Sequence, residues 1–346
     1  MNPRITPAAR SRSTRRFTAG AESDTAAPIS AYEERASATS DAMIRRSSAS
    51  NCNVLLLKGN LYDCHRRYRL PPLSLMVTGS ARTYLTCPPE YFQVAYAINP
   101  WMDPAVPVDT ELAGKQWRRL VDTLAGLGHT VHYLDPVPGL PDQVFAANGG
   151  FSLAGTVYGA RFRYPQRAAE AAIHRRWYQA AGWRYVTPTA VNEGEGDLAW
   201  VGGHLLAGYG FRTDPAAHAE LRRVFGVPVV PLRLVDPRFY HLDTALGVLG
   251  PAHVAYFPDA FDAASRRVLR RLFPDALIAD AADAAAFGLN LVSDGRHVVL
   301  NAEATGMAAK LAAAGYQPVL VEFSELHKGG GSVKCCVAEL RGGPRG

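Results

Sequence analysis

From about residue 76 onward, short β-rich runs and helices alternate almost without a break, and this pulse confines the chain to a mixed α/β body. Residues 110–127 read as a helix, with Asp109 or Thr110 as the cap and Gly128 as the stop. A strand at 130–134 follows. Residues 165–181 read as a second helix with a basic, Tyr-bearing outer face. Residues 215–225 read as a third, with Asp214 as cap, Pro215 at the first position and Gly226 after the end. Two more helices are expected at 261–273 and 302–314. Short strands are expected at 227–234, 247–249, 254–257, 298–301 and 318–323. No exact repeat exists at a fixed period, but the regular spacing permits divergent modules.

The net charge of +6 is misleading. Residues 1–75 hold 12 Lys+Arg against 6 Asp+Glu, leaving 25 of each for the rest, so the body is neutral and carries no global footprint for nucleic acid. Residues 1–50 are rich in Ser, Ala, Arg and Thr and read as a disordered tail. Their acids (Glu22, Asp24, Glu33, Glu34, Asp41) argue against a transit peptide. Met43 and Met76 are alternative starts, and 51–75 is ambiguous; residues 76–346 are expected to form a single catalytic domain. No run of about 18 apolar residues exists, so no membrane span is expected. Five scattered cysteines (Cys52, Cys64, Cys87, Cys335, Cys336) make neither a disulfide framework nor a zinc pair, which fits a reducing cytoplasm.

Chemistry concentrates in a few places. Cys335 follows a glycine run, Gly329-Gly330-Gly331, that lets backbone and substrate approach the sulfur. A thiolate attacks well only beside a base or cation, whereas an ordinary free cysteine is a small buried hydrophobe. The latter suits Cys336 better. His241 and Asp243, two apart in an extended segment, would share a face with Leu242 turned to the core. An exposed strand-edge histidine is the plainer alternative, and Asp197 or Asp236 could partner it in a structural pair. Glu193-Gly194-Glu195-Gly196-Asp197 crowds three carboxylates next to the apolar residues 198–201. Buried acids need a cation or a proton, and a guanidinium satisfies them in bidentate fashion. Asp142 and Asn148 flank Val144-Phe145. Arg212, and with less support Arg161, Arg163 and Arg167, are candidates for a substrate carboxylate.

In chain order these pieces resemble the guanidino-group-modifying superfamily of arginine deiminases, dimethylarginine dimethylaminohydrolases, arginine dihydrolases and glycine amidinotransferases. The resemblance spans about residues 76–340. It rests on Cys87-Pro88-Pro89, Tyr96-Ala97-Ile98-Asn99-Pro100-Trp101, Asp142 to Asn148, Glu193 to Asp197, Gly210-Phe211-Arg212-Thr213, His241-Leu242-Asp243 and Gly330-Gly331-Ser332 to Cys335. It implies an α/β-propeller, or pentein, of five ββαβ-type modules around a central site.

The roles it implies are Cys335 as nucleophile, His241 as general acid/base, and Glu193 as the acid paired with that histidine and the substrate. Asp243 grips the guanidinium beside the leaving group, and Asn148 stands where deiminases carry a second aspartate. Asp142 and Arg212 hold the amino-acid end, Asn99 lines the same pocket, and Asp197 belongs to the substrate-binding set. Asparagine at 148 is carried by arginine dihydrolases, and His-Leu-Asp is typical of deiminases and dihydrolases. Tandem cysteines are found in animal dimethylarginine hydrolases, which commonly lack that aspartate. The Gly-Glu-Gly spacer between Glu193 and Asp197 is longer than the usual one. The expected activity is hydrolysis of a guanidino C–N bond of free arginine or Nω-methylated arginine through a covalent thiouronium. No metal or organic cofactor is required, and the only expected partner is the small-molecule substrate. An amidinotransferase of the same fold and a non-catalytic arginine-binding protein are the competing readings.

Overall fold

The computed structural model describes residues 79–343 and, ahead of them, only the backbone of two short strands, β1 (Leu56–Leu57) and β2 (Asn60–Leu61), which pair antiparallel. The tail, the alternative starts and Cys52 and Cys64 lie outside the described residues. From residue 79 the chain builds five three-stranded sheets of one pattern. In each, a first strand pairs antiparallel with a second; a helix then crosses over, and a third strand pairs parallel with the second. A parallel pair needs such a crossover, which explains the spacing seen in the sequence.

The first sheet contains β3 (Thr83–Thr86), α1 (Thr110–Gly126) and β4 (Thr130–Tyr133). The second contains β5 (Gly150–Leu153), β6 (Thr156–Gly159), α2 (Glu170–Ala180) and β7 (Arg184–Val186). The third contains β8 (Leu198–Val201), β9 (His204–Tyr209), α3 (Ala216–Phe225) and β10 (Val229–Arg233). The one-turn helix α4 (Leu242–Ala245) precedes the fourth: β11 (Leu246–Gly250), β12 (His253–Tyr256), α5 (Ala263–Leu272) and β13 (Leu277–Ile278). After α6 (Ala281–Ala285), the fifth contains β14 (Val292–Ser293), β15 (His297–Asn301), α7 (Thr305–Ala313) and β16 (Gln317–Val321). After α8 (Ser324–His327), β17 (Ala338–Glu339) returns to pair with β3 and supplies the first sheet's missing strand. The ring of five ββαβ modules is thereby closed, and this is the pentein α/β-propeller. The first strands of neighbouring modules meet, as β8 with β11, β11 with β14 and β17 with β5, so they line the axis.

Local chemistry sets the helix ends. Asp109 accepts the Leu112 N–H at 2.9 Å and caps α1, whose Ala113, Trp117, Leu120, Val121 and Leu124 form the buried stripe. Asp214 accepts the Ala216 N–H at 2.8 Å, and α3 ends at Gly226 with φ 67°, a left-handed turn. The expected 165–181 helix is instead a 3-10 turn, Pro165–Arg167, followed by α2. Its tyrosine is not on an outer face: Tyr178 is 1% exposed and packs against Trp177 and Trp183. The turn before α2 is what frees Arg167 to face inward.

Candidate active site

Each module delivers its functional side chains just ahead of its axis-lining strand. Asp142 and Asn148 precede β5; Glu193 and Asp197 precede β8; His241 and Asp243 precede β11; Asn290 precedes β14; and Cys335 precedes β17. All are buried, at 5% exposure or less. One correction concerns 241–243. The segment is not extended: His241 caps α4, and Asp197 Oδ1 accepts the Leu242 N–H at 3.1 Å and pins the helix start. Both side chains still reach the site, with Leu242 in the core as expected.

His241 Nε2 lies 2.9 Å from Glu193 Oε2, the same oxygen that accepts from Arg212 at 2.8 Å. Glu193 Oε1 takes the Arg163 N–H at 3.1 Å. Burial opposes ionisation of Glu193, but Arg212 and the His241 hydrogen bond hold it well below the ordinary carboxylate range. As an anion it accepts only, so Nε2 carries the hydrogen. That leaves Nδ1, buried and without a hydrogen-bond partner among the described residues, as the free face of the ring.

Cys335 is held by Asn290, whose Nδ2 donates to the sulfur at 3.1 Å and whose Oδ1 accepts the Cys335 N–H at 3.1 Å. The thiol donates to Asp243 Oδ2 at 3.2 Å. Burial, reinforced by the Asp243 carboxylate, pushes the thiol well above an ordinary cysteine, so it rests protonated. Burial likewise lifts Asp243 to about 7 and Asp197 to about 6, and raises Asp142. The glycine run brings the backbone close to the cysteine as expected, a Cβ on Gly331 falling 3.1 Å from Cys335 Cβ, and it has a second purpose. A Cβ on Gly331 would fall 2.4 Å from Phe145, and one on Gly330, at φ 83°, would fall 2.5 Å from Asn99. The glycines let the loop pack down onto those two residues and fix the cysteine.

Asn99 braces this loop, donating to Gly329 O at 3.1 Å, while Tyr240 donates to Gly330 O at 2.7 Å. Arg212 is committed to Glu193 and to Ile98 O, and lies over the rings of Tyr164 and Tyr240. Arg167 donates to Asn148 Oδ1 at 2.7 Å and grips Glu170 with two nitrogens at 2.8 and 2.9 Å. Asp142 accepts from Tyr96 at 2.9 Å. Glu195 stays out of the site, ion-paired to Lys334 and Arg341. Asp236, at the surface, pairs with Arg238 and does not reach the histidine.

Among the described residues, five buried atoms of the expected site have no hydrogen-bond partner: Asp142 Oδ1, Asn148 Nδ2, Asp197 Oδ2, His241 Nδ1 and Asp243 Oδ1. Buried polar groups are rarely left so, and an unpaired set around one cysteine is what a polar ligand would complete. Asn290 was not visible as a candidate. Its only sequence signal is its place ahead of a first strand, which needs the module pattern to be seen.

A buried thiol ringed by unpaired carboxylate oxygens and a glutamate-held imidazole, on a pentein ring, defines a cysteine hydrolase of amidine C–N bonds. The chain belongs to the dimethylarginine dimethylaminohydrolase and arginine dihydrolase family of guanidino-modifying enzymes. It is 55% identical over 263 residues to the N(G),N(G)-dimethylarginine dimethylaminohydrolase of Mycobacterium tuberculosis, covering 76% of this chain and 87% of that one. It is 36% identical over 258 residues to the bifunctional arginine dihydrolase/ornithine cyclodeaminase ArgZ of Synechocystis, covering 72% of this chain but 36% of that longer protein. The substrate-bound crystal structure of the ArgZ N-terminal domain superposes with a TM-score of 0.72 at 33% identity, over 75% of this chain and 99% of that one. No family model matches the chain.

Proposed function

We propose that this enzyme hydrolyses the guanidino group of free L-arginine and can carry the ureido product through a second turnover to ornithine. The observation that carries the reading is the orientation of Asn148. Arg167 has donors only, so the 2.7 Å contact forces Oδ1 of Asn148 toward it and turns the Nδ2 donor inward. A guanidinium presents only donors, and the inward amide gives it no acceptor. A ureido oxygen is the acceptor that this group can bind. The dihydrolase activity named for the Synechocystis relative fits this.

In the reaction, Asp243 Oδ1 and its neighbours hold the guanidinium in plane, and the added positive charge favours the thiolate of Cys335. The thiol proton passes to His241 Nδ1 as sulfur bonds to the guanidino carbon. His241 then gives that proton to the departing nitrogen, the C–N bond breaks, and a thiouronium remains on sulfur. Water adds to the carbon, its proton returns to His241, and the C–S bond breaks with its electron pair on sulfur. Glu193, fixed by Arg212, holds the histidine in one tautomer throughout. Asp142 and Arg212 are assigned to the amino-acid end of the substrate, Arg167 holds Asn148 in its orientation, and Asn99 and Asp197 position the loop and α4.

The name of the 55%-identical relative favours a second reading, Nω-methylated arginine as substrate. Mass-spectrometric product analysis with L-arginine and with asymmetric dimethylarginine decides. Ornithine and ammonia from arginine support the dihydrolase. Citrulline and dimethylamine from the methylated substrate alone support the second reading, and citrulline alone from arginine removes the role given to Asn148.

A further inference from the structure

A cavity of about 360 Å³ is lined by the axis-facing strands β8, β11 and β14 and by Asp243, while Cys335 is not part of its lining. Its lining includes the buried Asp243 and Glu195 together with Lys334, and also the exposed Gly202, Gly203 and Pro251. Asp243 therefore belongs to both spaces: it accepts the Cys335 thiol at 3.2 Å and also lines the cavity. The Lys334–Glu195 ion pair lies beside it, with Lys334 also anchored to Val337 O at 2.8 Å. A water in the liquid takes about 30 Å³, so there is room for several molecules the size of water or ammonia.

We propose that this axial cavity is the route by which the small amine leaves and water enters while the amino acid is still bonded to Cys335. This rests on the covalent mechanism above. Cys335, His241, Glu193 and Asn148 are each at 2% exposure or less, so a bound amino acid on the substrate side leaves little passage beside it. Between the two half-reactions one amine must depart and one water must arrive, with the acyl-like fragment still in place. The amine is expelled as a neutral molecule, having taken its proton from His241. Asp243 Oδ1, without a hydrogen-bond partner among the described residues, offers it an acceptor on the way out.

The test narrows the cavity away from the chemistry. Ala199 on β8 and Val248 on β11 line it, and neither touches the reacting groups. In Ala199→Trp and Val248→Trp, rapid quench and intact-mass measurement should show adduct formation from arginine within about twofold of wild type. Steady-state turnover should fall at least about tenfold, with the adduct as the dominant species. Turnover within twofold of wild type in a variant that melts normally overturns the route, as does an equal slowing of adduct formation. A wild-type enzyme that forms neither adduct nor product from arginine or dimethylarginine instead overturns the covalent reading itself. If neither variant folds, the wild type decides. Methylamine added during turnover should be captured as Nω-methylarginine while cyclohexylamine is not, and capture of both or of neither overturns the proposal.

Discussion

Gly196 sits in the turn between Glu193 and Asp197, and the narrowness of the site predicts what one added methyl would do there. A Cβ at this position would lie 2.5 Å from Asn148 Nδ2 and 3.0 Å from His241 Nδ1. Non-bonded heavy atoms rest at about 3.5 Å, so the amide must retreat by about 1 Å and the imidazole by about half of that. The backbone at Gly196 is not left-handed, so alanine is compatible with the local chain and the strain falls on those two side chains. Misplacing a reacting group by about 1 Å costs on the order of 10²-fold, or about 2.7 kcal/mol of barrier. Gly196→Ala should therefore lower kcat on arginine by about 10²-fold while the enzyme still melts cooperatively. Gly126→Ala is the control. That glycine ends α1 with none of the described residues within 4 Å of its added carbon, so activity should be unchanged and stability slightly raised. A Gly196→Ala enzyme within threefold of wild-type kcat would show that Asn148 and His241 do not work at the positions described.

Cys335→Ala should abolish turnover, by about 10³-fold or more, and retain arginine binding by calorimetry; unchanged turnover would refute the nucleophile. Arg212→Met breaks a pair exposed only 2% and 0% and should cost about 3–5 kcal/mol in urea unfolding at pH 7. The Glu193 pKa lies below its unfolded value, so the pair's stabilisation is present above about pH 4.5 and lost as pH falls through the folded value. The gap between wild type and Arg212→Met should accordingly close on the acid side. Asp243 has the opposite sign. Its pKa is raised to about 7, so its burial costs stability progressively between about pH 4 and 7. Asp243→Asn should raise the Tm at pH 8 more than at pH 4, while losing activity at both. Asn290→Ala should slow the attack step at constant KM, because it frees the sulfur without touching the substrate end.

Much of this architecture is legible in the sequence, for identifiable reasons. Asp109 and Gly226 announce helix ends because capping and left-handed turns demand few residue types. The His241-Leu242-Asp243 triplet announced its chemistry but not its shape, since a one-turn helix held by Asp197 leaves no periodicity to read. The sequence reads the second helix as six residues longer than it is because the Pro165–Arg167 turn looks helical in composition. Asn290 was invisible between two leucines, and the pairing of Glu195 with Lys334 and Arg341 spans about 140 residues of sequence that no local pattern connects. What escaped the sequence is what depends on ring closure, because closure brings the five pre-strand segments to one point.

That closure has a consequence for synthesis. Cys335, the proposed nucleophile, sits three residues ahead of β17, the strand that completes the first sheet against β3. A nascent chain therefore carries its histidine, its acids and most of its ring long before it carries either the sulfur or the seam. Reactivity and structural completion arrive together, within the same few residues. A chain arrested short of them lacks both, so on the proposed mechanism the cysteine becomes available to a guanidino compound only when the ring is ready to hold it.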